Sequence, residues 1–267
     1  MTKALALVKY DTLTEQVAAV EKDGYAYFPG VLQAAEVDHL KKLMTDLEPI
    51  STNLDSYKSP ENGDGFLNKV INNSFNRDPY YLQFLDKSPV IEVAEGLHGD
   101  DCHCLGMQSW ITGPGRTDQG LHTDWLPLDL PADILADSRV KIPVFISTAH
   151  YYLDDVYEEL GPTKFVPGSH FSGRSPDGDT VWQGRSEESI LCKAGDVVIF
   201  RSEVWHRGSA NTSADTRHLL QVHYSKRMIT QKYPPYCHEF RFDKQILAQA
   251  NPRQRRLLGD HRPSNYD

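Results

Sequence analysis

The chain has 267 residues, 39% hydrophobic and 24% charged, the balance of a folded soluble protein rather than a disordered one. Acidic residues outnumber basic ones 37 to 28, and the net charge of −9 argues against nucleic acid or an anionic membrane as a broad partner. No apolar run approaches the roughly 20 residues of a membrane span, and the opening "MTKALALVKYDTLTEQ" lacks a signal-peptide core. The expected location is therefore the cytosol, where the four cysteines stay reduced.

In chain order, "LTEQVAAVEK" (13–22) predicts a helix ended by the turn signal "DG", and "YAYFPGVL" predicts a short strand. "QAAEVDHLKKLMTDLEP" places Val37, Leu40, Leu43, Met44 and Leu47 on one face of an amphipathic helix. Residues 51–66 are polar and rich in turn formers, read as a long mobile loop. "SPVIEVAEGLHG" then opens on Ser-Pro and stops at glycine, as a helix does. After residue 100, short apolar or alternating runs recur: "CLGMQSWI", "VFISTAHYYL", "TKFVPGS", "SILCK", "DVVIF" and "HLLQVHYSK". Gly, Pro and Asp clusters separate them, the pattern of a β-sandwich or barrel. A polar, helix-compatible tail, "DKQILAQANPRQRRLLGD", follows, and its "RQRR" reads as a solvated helix face. No repeat or linker interrupts the chain. The expectation is a single domain over 1–267, with N-terminal helices to about 100, a β core over about 101–230 and an extension over about 231–267. No coiled coil or repeated surface is present, so a monomer or weak dimer is expected.

"DCHCLG" sets Cys102 and Cys104 around His103. The spacing is not the C-x-x-C of a zinc site and no second ligand pair follows, so buried thiols beside a turn are the expected reading.

The chemistry-bearing stretch is "GLHTDWLP". On a strand, residues two apart point the same way, so His122 and Asp124 present one nitrogen and one oxygen to one point. Alone, the pair does not outweigh the reading as the wet face of a sheet. His206, in "VWHRG", supplies a third donor, and two imidazoles with one carboxylate form the facial triad of non-haem iron(II) oxygenases. Arg217, eleven residues on, is placed to hold a carboxylate bidentately from the next strand. On that strand His223 shares the parity of Arg217 and His218 does not. Trp125 and Trp205, beside two of the candidate ligands, are as consistent with core packing as with a pocket wall. His170, in "PGSH", is read as supporting its loop by hydrogen bonding.

From "GYAYFPGVLQAAEVDHLKKLM" through "HTDW", "LGPTKFVPGSH", "AGDVVIF", "VWHRGSANTS" and "TRHLLQVHYS", the chain resembles the phytanoyl-CoA dioxygenase family, over roughly residues 24–226. The resemblance implies a mainly β fold with flanking helices, its core a double-stranded β-helix (a jelly-roll, cupin-like barrel). It implies iron(II), with 2-oxoglutarate and O2 as co-substrates, and oxidation of a C–H bond with release of succinate and CO2. His122, Asp124 and His206 match the iron ligands, and Arg217 the partner of the 2-oxoglutarate distal carboxylate. Thr163 matches a threonine turned toward the co-substrate, and Gln119 a glutamine found near it in some members. One departure is "EELG" where "ENG" is usual, with Gly161 keeping a turn. The presence of Asp124 disfavours halogenation, because related halogenases replace this carboxylate with a small residue. The family name suggests an acyl-CoA substrate. No basic cluster stands ready for CoA phosphates, so a small specialised metabolite is the expected substrate, with an acyl-CoA hydroxylase as the alternative. A non-catalytic jelly-roll binding protein and a zinc hydrolase are the rivals from other classes.

Overall fold

The computed structural model describes residues 3–48, 68–126, 128, 130–137, 139–233 and 240–261; the loop expected over 51–66 lies outside them. The chain opens with β1 (Lys3–Ala4), α1 (Leu13–Asp23), β2 (Tyr25–Phe28), α2 (Ala34–Asp46), β3 (Asn68–Asn72) and α3 (Val90–His98). It continues through β4 (His103–Thr112), α4 (Ala132–Ala136), β5 (Ile146–Tyr152), β6 (Thr163–Phe165), β7 (Val181–Trp182), β8 (Arg185–Ser186) and β9 (Glu188–Ser189). Then come β10 (Val197–Arg201), β11 (His206–Gly208), β12 (Arg217–Ser225), α5 (Lys244–Leu247) and α6 (Pro252–Leu257). Among the described residues no helix is long and apolar enough to cross a membrane.

The first helix shows how local chemistry sets these bounds. The Thr12 hydroxyl accepts the Glu15 N–H at 3.3 Å, and the Glu15 carboxylate accepts the Thr12 N–H at 3.1 Å, a reciprocal cap for two otherwise unpaired donors. At the other end Gly24 takes φ +92°, and a Cβ there would meet Val204 at 2.7 Å and His170 Nδ1 at 2.9 Å. Both the conformation and the space demand glycine.

Two sheets face one another as a jelly roll. The larger is antiparallel throughout, in the order β2-β10-β5-β12-β4-β3; the smaller runs β1-β9-β6-β11. Strand β3 was not anticipated. "NKVIN" carries too little apolar character to signal a strand, and it forms because β4 offers an unpaired edge, with Asn68 opposite Thr112 and Asn72 opposite Gln108. The expected strand "SILCK" shrinks to its first residue and the one before it, in β9.

Because the larger sheet is buried on both faces, its strands do not alternate apolar with solvated. Val197 and Ile199, Ala149 and Tyr151, and Leu220, Val222 and Tyr224 face α1–α3 and form the main core. The opposite parity, with Val198, Phe200, Tyr152 and Leu219, meets Phe165 and Ile190 from the smaller sheet. Phe165 and Phe200 lie 4.9 Å apart at its centre. Beyond them the same inward parity turns polar, and there the barrel opens. The tail docks rather than floating. Arg253 and Arg256 of "RQRR" pair with Glu95 on α3, and Arg256 also donates to the Cys102 carbonyl at 2.6 Å, which corrects the solvated-face reading.

Candidate metal centre

Residues 119–124 run beside β11 and extend the smaller sheet, but not as the regular strand expected. Only His122 forms a bridge, and the chain bends at Asp124, whose N–H donates to the Ser202 carbonyl at 3.1 Å. The two side chains still converge. One donor atom each from His122, Asp124 and His206 fall within 4.8 Å of one another, the one such cluster among the described residues. Asp124 Oδ1 lies 3.6 Å from His206 Nε2 and 4.0 Å from His122 Nε2.

The tautomers suit a metal. His122 Nδ1 is 2.7 Å from the Gly120 carbonyl and His206 Nδ1 is 2.9 Å from that of Val204. A carbonyl only accepts, so each Nδ1 carries the proton and each Nε2 keeps its lone pair for the shared point. The second oxygen of Asp124 accepts the Thr148 hydroxyl at 3.2 Å. Burial works against the Asp124 charge, but His206 beside it holds the carboxyl well below the usual range. Burial likewise opposes protonation of His206, and Asp124 overcomes it, raising the imidazole; His122 is lowered by burial and by His206.

These three side chains open on a cavity of about 150 Å3 that Arg217, Thr163 and Gln119 also line. Arg217 is buried. It donates to the Gly161 carbonyl and lies 3.5 Å from the Thr112 hydroxyl, while its Nε has no partner. Burial, and then Arg116 nearby, draws its pKa down to about 10, so it stays charged at neutral pH, and no carboxylate among the described residues forms an ion pair with it. Gly161 takes φ +81° after the 3-10 turn Glu158–Leu160, so the departure to "EELG" keeps its turn. A Cβ at Gly161 would sit 2.6 Å from the Ser209 carbonyl. Gln119 accepts the Gly208 N–H at 2.8 Å through Oε1, which commits its oxygen and leaves its NH2 for the cavity. Thr163 is buried on β6, opposite Gly208.

Other singled-out residues separate cleanly. His223 lines the cavity and His218, of opposite parity, pairs with Asp154 at 3.0 Å. Trp125 sits edge-on to His223 at 5.4 Å. Trp205 is fully buried, its indole N–H given to the Arg174 carbonyl at 2.8 Å, and belongs to the packing. His170 borders a second cavity of about 400 Å3, away from the triad, its ring tilted 40° to that of Phe171 at 4.1 Å; neither ring nitrogen has a hydrogen-bond partner among the described residues, so it packs in its loop rather than bonding to it. Cys102 and Cys104 are buried and free, and His103 bonds to the Ile229 carbonyl at 2.7 Å.

Sequence reasoning missed Thr148, His150, Gln108, Gln221 and Lys232. Four of these follow from parity: on β4, β5 and β12, every second residue counted from Arg217 or its register partners faces inward. Lys232 lies beyond the strands, and no local signal marks it.

A jelly roll whose sheets enclose such a cluster belongs to the cupin-like oxygenases that use iron(II) and 2-oxoglutarate. The family model "Phytanoyl-CoA dioxygenase (PhyH)" matches residues 20–219, and the chain belongs to that family. An uncharacterised protein of Mycobacterium tuberculosis, Rv1501, is 23% identical over 235 residues, covering 84% of this chain and 80% of its own. Among solved structures, SnoN, the non-haem alpha-ketoglutarate-dependent epimerase from nogalamycin biosynthesis, superposes with TM-score 0.62 at 20% identity, covering 80% of each chain. HygX from Streptomyces hygroscopicus, with nickel and 2-oxoglutarate bound, gives 0.64 at 16% identity over 85% of this chain and 90% of its own.

Proposed function

We infer that the protein oxidises a C–H bond of a small-molecule substrate, with His122, Asp124 and His206 holding iron(II) and Arg217 holding the distal carboxylate of 2-oxoglutarate. The observation that carries this reading is the pairing, in one cavity, of three convergent donor atoms with a buried guanidinium that no carboxylate among the described residues pairs with. A buried cation of that kind needs an anionic ligand to offset its desolvation.

When bound, the iron and its co-substrates supply the oxidising power, consuming O2 and 2-oxoglutarate and releasing CO2 and succinate. The chain supplies the rest. Backbone carbonyls of Gly120 and Val204 fix both imidazoles with Nε2 inward, and Thr148 fixes the carboxylate. Gln119 and Thr163 add a donor and a hydroxyl to the lining that Arg217 shares, and would contact a diacid held there. The presence of Asp124 supports hydroxylation, or another outcome of C–H oxidation, over halogenation. Wider members of the fold support a specialised metabolite as substrate: SnoN was solved with nogalamycin RO and HygX with hygromycin B.

The deciding experiment adds iron(II) and 2-oxoglutarate to the protein without oxygen and records the visible absorption of the resulting complex. Succinate is then measured in air with candidate substrates. No absorption and no succinate would overturn the reading.

A further inference from the structure

The metal cavity has a second cationic pole that the 2-oxoglutarate reading leaves unused. Lys232 lines the cavity, its ammonium 4.1 Å from the centre of the Trp125 ring. Among the described residues none hydrogen-bonds or ion-pairs with that ammonium; burial lowers its pKa, and the charge of Asp124 acts on it across the cavity. Its backbone is fixed by a fault in the sheet. Opposite β12, His223 pairs with Gly106 and Tyr224 with Cys104, so Leu105 is an extra residue on β4. The Leu105 carbonyl accepts the Lys232 N–H at 3.0 Å, tying the lysine to the end of the sheet beside His223.

Arg217 stands at the other end of the same strand pair, opposite Thr112. His223 lies six positions further along β12, roughly 20 Å between Cα atoms at the usual rise per residue. A diacid held between Arg217 and the metal donors occupies the Arg217 end of the cavity, whereas the lysine is tied to the His223 end.

Between the poles, the proton positions are determined. An ionised Asp124 only accepts, so the Thr148 hydroxyl donates to it and must accept from His223 Nδ1, 2.9 Å away. His223 Nε2 is then a bare acceptor, buried and unpartnered. This end of the cavity thus presents one ammonium and one imidazole acceptor, with the Trp125 ring packed against both residues.

We propose that Lys232, on the bulge-anchored end of the barrel, binds an acidic group of the substrate, so that the molecule oxidised is a small carboxylate or phosphate ester. His223 Nε2 accepts from a hydroxyl or N–H of the same molecule, and Trp125 packs against its carbon skeleton. This inference rests on the oxygenase reading above and deepens it.

The test loads the protein with nickel(II) and 2-oxoglutarate, checks both by dialysis and metal analysis, and titrates it with benzoate, phenyl phosphate and benzamide while tryptophan fluorescence is followed. A failure to load counts against the oxygenase reading; the titration addresses the substrate. At least one anion is expected to bind about tenfold or more tightly than benzamide, which is about 1.4 kcal/mol. The tighter anion distinguishes a carboxylate from a phosphate. Lys232→Gln should erase the preference and Lys232→Arg should keep most of it, with 2-oxoglutarate loading unchanged in both. Equal binding of benzamide, no binding of either anion, or loss of 2-oxoglutarate from Lys232→Gln would each overturn the proposal.

Discussion

His122 and His206 lie directly opposite each other in an isolated antiparallel bridge, each backbone N–H donating to the other's carbonyl, at 2.9 and 2.8 Å. The bridge brings the two rings to 4.5 Å between centroids although they lie 84 positions apart in the chain. Since main-chain bonds hold the two positions together, the rings themselves are free to serve a ligand.

His122→Ala and Asp124→Ala should therefore fold, with circular dichroism unchanged, yet retain no iron after dialysis. Full iron content in either variant would show that the ligand set is wrong.

Arg217→Ala should still bind iron. Losing charge-assisted hydrogen bonds worth about 1.5–3 kcal/mol predicts a KM for 2-oxoglutarate raised by about tenfold to a hundredfold. Arg217→Lys should recover little of this, because an ammonium cannot reproduce the planar fork. An unchanged KM in the alanine variant would remove the co-substrate role.

Thr148→Val keeps the shape of a buried side chain and removes the hydroxyl that steadies Asp124. Metal affinity should fall by about tenfold to a hundredfold, as for other outer partners of metal ligands. Competition with a coloured chelator would measure it, and an unaltered affinity would show that the hydroxyl is not needed.

Two buried histidines outside the metal cluster predict how stability depends on pH. Burial depresses His98 to about 3, and burial with Arg201 nearby depresses His170 to about 3. An unfolded histidine titrates near 6.5, so between those values the unfolded chain binds the extra protons. Stability is then full above pH 6.5 and declines as pH falls toward 3, with each histidine costing roughly 2 kcal/mol by pH 5. Urea titrations at pH 7 and pH 5 read this directly, and His98→Gln should flatten the slope. A midpoint independent of pH across that range would contradict it.

Trp205, although adjacent to His206 in sequence, fills the interior, so Trp205→Ala should cost about 3–5 kcal/mol of stability. Denaturant unfolding would show it, and a loss below 1 kcal/mol would contradict the packing role.

Much of this architecture was legible in local pattern. The helix spacing of Val37, Leu40 and Met44, the glycine stop at Gly24 and the run of short strands after residue 100 depend on near neighbours, and the structure keeps each of them. His122, Asp124, His206 and Arg217 could be picked out because two-residue parity, the later His and Arg and the resemblance those motifs carry all lie along the chain. β3 escaped notice because an edge strand exists through its partner, not through its own composition.

By itself, the sequence determined which side chains can ligate, which can hold an acid, and which face of β12 carries His223, because parity along a strand is a property of the chain. Only the tertiary structure decided that His122 and His206 share a bridge, that Trp205 is core while Trp125 packs on His223 and Lys232, and that Lys232 stands at the opposite end of the cavity from Arg217. Those relations join residues distant in sequence through sheet register and a single bulged residue, and register is fixed only when two strands meet.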